Sequence, residues 1–186
     1  MPSSILIIGG GITALSTAWF LHKAGYSVSV RFEQRKGSAT QAAGGMLSPS
    51  CEADGCDAEL IQLAVHSCSL YPEWVREIER QSDLETGYRT QGTVLVAMHS
   101  DHYAELEHLA RFQEKHGLAV QEVSRRELRR LEPNVTRQVG GLLCPEDHCI
   151  DPRALYRALY RALQRRGVDI QNIASLDIVP CKERNS

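Results

Sequence analysis

The chain opens on an unbroken apolar run, Ile5-Leu6-Ile7-Ile8, that stops at Gly9-Gly10-Gly11. Such a run is the pattern of a short strand buried on both faces and ended by a glycine turn. From Ile12 to Ala24 the period changes: Leu15, Ala18, Trp19 and Leu21 recur at helical spacing, and Gly25 supplies the C-terminal stop. Alternation resumes at Val28, Val30 and Phe32. A strand, a glycine turn, a helix and a second strand are therefore predicted in direct succession.

Small residues from Gly37 to Gly45 read as a loop, and a long helical pattern follows from about Glu59 to Glu79, with Leu60, Leu63, Ala64, Trp74, Val75 and Ile78 at its apolar positions. Pro72 lies inside that pattern. It predicts a kink or a division into two helices, because proline has no N–H to donate and crowds the preceding turn. Further on, Thr93–Met98 reads as a strand, His102–His116 as a helix closed by Gly117, and Ala119–Val123 as another strand. Ser124 and Glu127 form a capping box for a short helix through Leu131, which Pro133 stops, and 140–143 reads as a strand.

Asp151 is the predicted N-cap of a last helix with Pro152 at its first position; Leu155, Leu159 and Leu163 line one face as far as Gly167, and a strand follows over 168–173. The echo Ala-Leu-Tyr-Arg at 154–157 and 158–161 is too short for an architectural repeat. Its arginines, with Arg153 and Arg165, are expected on a solvated face and not against phosphate.

The chemistry lies in the first turn. Gly9-x-Gly11-x-x-Ala14 follows a predicted strand and opens a predicted helix, the context in which this pattern marks a dinucleotide site. Gly9 permits the tight turn, Gly11 leaves room for a diphosphate against the backbone, and Ala14 lets the helix pack on the strand. The free N–H groups near Ile12 and Thr13, at the positive end of the helix, face the anion. Glu33, about twenty residues on, is placed to accept from ribose hydroxyls, and it would repel the 2′-phosphate of NADP. The segment Ala39-Thr40-Gln41-Ala42-Ala43-Gly44-Gly45-Met46-Leu47 favours FAD over NAD. A crossover helix would be expected directly after the second strand in an NAD domain, whereas small residues here allow close backbone approach to a cofactor. An NAD-dependent dehydrogenase fits Gly9, Gly11 and Glu33 but leaves that segment unexplained.

Composition narrows the remaining classes. The 186 residues, 42% apolar and 24% charged, suffice for a buried core. A net charge of −2 gives no global attraction for nucleic acid, and the first apolar run is far short of a membrane span, so neither partner is expected and a cytoplasmic location is. The six cysteines are expected as free thiols. Cys51/Cys56 and Cys144/Cys149 share a CxxxxC spacing, but it is wider than usual zinc spacings and lacks a histidine pattern, so no metal is expected.

Taken together, Ile7-Ile8-Gly9-Gly10-Gly11-Ile12, Ala42-Ala43-Gly44-Gly45-Met46-Leu47, Ala64-Val65-His66-Ser67 with Leu70-Tyr71, and Pro145-Glu146-Asp147 leading to Asp151-Pro152-Arg153 resemble the glycine oxidases of thiamine biosynthesis, within the D-amino-acid-oxidase group. The resemblance implies an α/β fold: a Rossmann-like FAD-binding domain (1–48 and 145–180, partial) and the start of an inserted α+β substrate domain (49–144), apparently incomplete. It implies FAD as cofactor, with Ile12 and Thr13 at the diphosphate, Glu33 and Gln34 at the adenosine ribose, and Ala39, Thr40, Ala43, Gly44, Gly45 and Met46 along the rest of FAD. Leu176 would offer its backbone to adenine. The strand before Glu33 is a residue longer than the family pattern, so either a bulge re-aims the acid or Phe32 takes its place. The implied reaction is oxidative deamination of glycine or another small amino acid, giving an imine that hydrolyses to glyoxylate and ammonia, with hydrogen peroxide as co-product. No catalytic residue is assigned, since the family's substrate-binding tyrosine and arginine have no counterpart here. A homo-oligomer or a complementing chain is the expected assembly.

Overall fold

The strand–turn–helix–strand read at the amino terminus is a parallel βαβ crossover in the structure, a computed structural model that describes residues 4–33, 37–53, 55 and 57–173. β1 (Ser4–Ile8), α1 (Ile12–Lys23) and β2 (Ser27–Phe32) are followed by a one-turn helix α2 (Ala39–Ala42), a two-residue strand β3 (Met46–Leu47) and a long helix α3 (Ala58–Ser82). Then come β4 (Thr93–Ala97), α4 (Ser100–Lys115), β5 (Gln121–Ser124), α5 (Arg125–Leu131), β6 (Gly140–Cys144) and β7 (His148–Cys149). α6 (Pro152–Arg165) and β8 (Asp169–Asn172) complete the described chain. Contacts divide it into two units, one of Met1–Ala43, Ile78–Thr86 and Pro152–Ser186, the other of Gly44–Glu77 and Gly87–Asp151. These limits are set by contacts at 43/44 and 151/152, a few residues from the sequence divisions at 48 and 145, and they bring residues 78–86 into the first unit.

The first unit is a parallel sheet of order β1-β2-β8, with both registers running without a break. α1 packs beside α6, and the buried surface is made by Leu15, Ala18 and Trp19 from α1 and by Ala154, Leu155, Ala158, Leu159, Ala162 and Leu163 from α6. The Ala-Leu echo is thus a four-residue helical period that alternates small and large side chains on one buried stripe, letting the two helices approach closely. Its arginines, at 153, 157, 161 and 165, are exposed, as expected. The Arg166 guanidinium lies 4.7 Å from the centre of the Trp19 ring. The end of α3 is held within this unit by Glu79, whose Oε1 accepts from both the N–H and the hydroxyl of Thr86 at 2.8 Å.

The second unit is built on an antiparallel sheet of order β4-β6-β5 with a separate β3-β7 ribbon. α4 packs on this sheet, and α5 starts with both arms of the capping box read in the sequence: Ser124 Oγ accepts from Glu127 N–H, and the Glu127 carboxylate accepts from Ser124 N–H.

Three expectations about elements are corrected. The span 37–45 is not all loop, because Ala39–Ala42 closes one helical turn. Pro72 does not divide its segment, and α3 runs through it as one helix. Buried Cys68 before the proline and buried Trp74, Val75 and Ile78 after it anchor both sides, so packing offsets the hydrogen bond that proline cannot make. The strand expected over 119–123 is shifted to Gln121–Ser124, where it pairs with β6.

Candidate cofactor-binding site

The turn between β1 and α1 is fixed by backbone geometry. Gly9 has φ +132°, a conformation L side chains rarely adopt, and its N–H donates to Arg31 O at 2.9 Å, tying the turn to β2. A Cβ on Gly9 would lie 3.5 Å from the Ala14 methyl, so a small residue at 14 is what lets helix and turn meet. α1 then begins at Gly11 with no side-chain cap and no acidic residue in its first turn. Its leading N–H groups and its positive end therefore have no competing anion of their own element. One of them, Ile12 N–H, donates to Thr40 Oγ1 at 3.0 Å, and Thr40 is buried although it is polar. That bond fastens α2 across the mouth of the turn.

A cavity of about 400 Å³ opens beside this turn, lined by Gly10, Gly11, Phe32, Glu33, Ser38, Gln41, Tyr156, Tyr160 and Asn172. The Phe32 ring covers Gly10 so closely that any side chain there would overlap it. Tyr156 and Tyr160 are stacked, with ring centres 6.2 Å apart, and burial pushes the Tyr156 hydroxyl above its ordinary range. Arg153 Nε donates to Gln41 O at 3.1 Å and so links α2 to α6.

The expected site residues fall into three groups. Gly9, Gly11, Ile12, Ala14, Glu33 and Thr40 come together around the turn and its cavity, with exposed Thr13 in the first turn of α1 and exposed Ala39 and Ala43 at the two ends of α2. Gly44, Gly45 and Met46 belong to the second unit, where Gly45 O accepts from Ile150 N–H at 2.9 Å and Met46, 61% exposed, pairs with Cys149. Gln34 and Leu176 lie outside the described residues. β2 carries no bulge in either of its pairings, and Phe32 and Glu33 both line the cavity. The sequence reading missed Ser38, Gln41, Tyr156, Tyr160 and Asn172. Only the tyrosines carried a signal, four residues apart beside the apolar stripe of α6.

The residues present suit a dinucleotide carrying a diphosphate: a capless helix end, a glycine turn that a Cβ would obstruct and an acid at the end of the second strand. The chain matches the family described as FAD dependent oxidoreductase over residues 4–179. It belongs to that family. FAD is accordingly its cofactor, and the parallel unit is a Rossmann-like FAD-binding fold. Among curated relatives, the bifunctional protein ThiO/ThiG of Trichormus variabilis is 31% identical over 182 residues, 92% of this chain and 26% of that protein. Glycine oxidase from Geobacillus kaustophilus superposes with a TM-score of 0.81 at 24% identity, over 90% of this chain and 45% of that one. Glycine oxidase from Bacillus cereus gives 0.81 at 24% identity, over 92% and 46%. This FAD dependent oxidoreductase chain thus spans about a quarter of the first relative and under half of the two solved chains. No helix among its described residues is long and apolar enough to cross a membrane.

Proposed function

We propose that this chain is the amino-terminal, cofactor-holding part of a glycine-oxidase-type flavoenzyme that oxidises glycine or another small amino acid. The observation that carries the reading is the capless start of α1 over the Gly9–Gly11 turn, facing a cavity that includes Glu33. In this reading Gly9 shapes the turn, Gly11 leaves room for the diphosphate, Ile12 and Thr13 contact it and Ala14 lets the helix pack, while Glu33 with Gln34 accepts from the ribose hydroxyls and Leu176 meets the adenine. Ala39, Thr40, Ala43, Gly44, Gly45 and Met46 follow the rest of the cofactor. When bound, FAD supplies the two-electron acceptor; the chain's own part is to hold it and keep its surroundings ordered. The proposal extends to a place in supplying the thiazole of thiamine, which the ThiO name borne by a relative supports, and to glyoxylate, ammonia and hydrogen peroxide as products in a cytoplasmic setting.

A second reading, a non-catalytic FAD-binding piece that works with a complementing chain, is favoured by β1. Its strand has one neighbour among the described residues, and Leu6 and Ile8 are 57% and 46% exposed in a parallel sheet, a class of sheet normally covered on both faces.

Both readings are tested by purifying residues 1–186 without added cofactor, recording the visible spectrum and assaying glycine-dependent peroxide. Flavin absorbance without peroxide is expected if these 186 residues hold the cofactor but do not turn over glycine by themselves. Turnover would overturn the second reading, and a colourless protein that fails to take up added FAD would overturn both.

A further inference from the structure

Away from the cofactor turn, the second unit gathers three groups that the sequence keeps far apart. Cys51 stands in the turn after β3, Cys144 is the last residue of β6, and Asp147 lies between β6 and β7. One ligand atom from each, two sulfurs and a carboxylate oxygen, lie within 4.8 Å of one another. Cys144 and Asp147 are completely buried, and Cys51 is half-buried.

The aspartate is held with unusual firmness for a buried acid. Its Oδ1 accepts from Ser50 N–H at 2.9 Å, its Oδ2 accepts from Cys51 N–H at 3.0 Å, and its own N–H donates to Cys144 O at 3.3 Å. One residue thereby fixes the backbone of both cysteines, while each carboxylate oxygen keeps a lone pair unused by those bonds. Two further buried oxygens sit on the same framework. Gln113 Nε2 donates to Ser50 O at 2.7 Å, yet Gln113 Oε1 and Ser50 Oγ have no hydrogen-bond partner among the described residues. Ala110 and Leu142 form a dry cluster with Cys144, and Cys51, Leu95, Leu106 and Val120 pack against it. Contact with Cys144, and burial after it, push the Cys51 thiol above its ordinary range.

We propose that Cys51, Cys144 and Asp147 bind one thiophilic divalent cation, zinc above all, through two thiolates and one carboxylate oxygen. Two sulfurs on one tetrahedral zinc stand about 3.8 Å apart, given Zn–S distances near 2.3 Å, so small side-chain rotations bring the three ligand atoms to bonding distance. Binding displaces the two thiol protons to solvent as two metal–sulfur bonds form, with no change of oxidation state. A water completes the tetrahedron. Soft thiolates select zinc-like ions over magnesium or calcium. The ion would clip the 48–53 turn to the end of β6, a structural role distinct from holding FAD.

The test strips the full 186-residue chain with a chelator under reducing conditions and then titrates it with Zn²⁺ or Co²⁺. One equivalent of either is expected, and the cobalt form should show the thiolate-to-metal charge-transfer band and intense visible bands of a tetrahedral sulfur site. Cys51→Ser and Cys144→Ser should each lower affinity by more than about a hundredfold, beyond the roughly 10–100-fold effect of losing an outer-shell partner. Cys149→Ser, at an exposed position, should leave the bands unchanged. If the serine variants do not fold, alkylation mapping of the wild-type chain in mild denaturant, where buried thiols become reachable, decides: zinc should protect Cys51 and Cys144 together. No stoichiometric uptake, bands that survive loss of both cysteines, protection of a different pair, or a Cys51–Cys144 disulfide in the reduced preparation would each overturn the site.

Discussion

At Gly10, glycine is needed because of a neighbour and not because of its own backbone angles. A Cβ there would enter the Phe32 ring, whereas Gly9 needs glycine for its positive φ. Gly10→Ala should therefore destabilise the chain by about 1–3 kcal/mol through overpacking, and Phe32→Leu in the same chain should recover part of that loss. A double-mutant cycle by denaturant unfolding checks it; additive effects would mean that the ring simply moves aside. Thr40 makes the complementary point. Its hydroxyl oxygen accepts from Ile12 N–H, so Thr40→Val should cost about 1–3 kcal/mol by leaving that donor unmet, while Thr40→Ser should stay near wild type. Equal losses in the two variants would assign Thr40 to packing alone.

Among the elements, α6 contributes most to the core of the first unit. Leu155, Leu159 and Leu163 are all but inaccessible, and the intervening alanines bring α6 against α1. Leu159→Ala should cost about 2–5 kcal/mol, since it leaves a cavity between two helices that cannot close on it. Urea unfolding of the two proteins measures this. At the other end of the sheet, β8 is tied to β2 by the Arg31–Asp169 ion pair, 2.5 Å between Arg31 Nη2 and Asp169 Oδ2. The hydrogen bond from Arg31, helped by Gln171, holds the Asp169 carboxyl below its usual range. A carboxyl with a depressed folded-state pKa stabilises above its unfolded value, about 3.9, and that contribution disappears as pH falls through the folded value. Thermal melts of wild type and Asp169→Asn should therefore differ at neutral pH and converge in strong acid. Because the pair is solvent-exposed, the difference should be small and should shrink with salt.

For the whole chain, cofactor binding and folding are linked. A ligand that binds only the folded state stabilises it by about 2.7 kcal/mol at a hundred times its dissociation constant. Saturating FAD should raise the melting temperature of the wild-type chain. Gly11→Val, whose side chain would crowd Thr40 Oγ1 and stand over the first N–H groups of α1, should gain little from FAD relative to its own FAD-free melt. A full FAD-dependent shift in that variant would place the cofactor elsewhere. The exposure of Leu6 and Ile8 on one face of β1 belongs to the same scale, because parallel sheets are normally covered on both faces.

In the first unit β1, α1, β2, α6 and β8 were legible from periodicity alone, whereas the one-turn α2 was not. A glycine turn and a 3.6-residue stripe are local signals, and the same residues carry the proposed cofactor turn at Gly9 and Gly11; the burial of β1 on both faces expected from its apolar run is corrected by the exposure of Leu6 and Ile8. The Ser124–Glu127 box was equally local, since both partners lie within one turn. Tertiary structure decided what local pattern could not. Burial on both sides of Pro72 kept α3 whole against the propensity of proline. The unbroken pairing of β2 with β1 and β8 ruled out the bulge offered as one account of Glu33, a matter of register between strands far apart in sequence. Tyr156 and Tyr160 reached the cavity through the docking of α6. The meeting of Cys51 with Cys144 and Asp147 was invisible to spacing rules, which pair nearby cysteines; these groups converge because two turns separated by almost a hundred residues are held by one buried carboxylate.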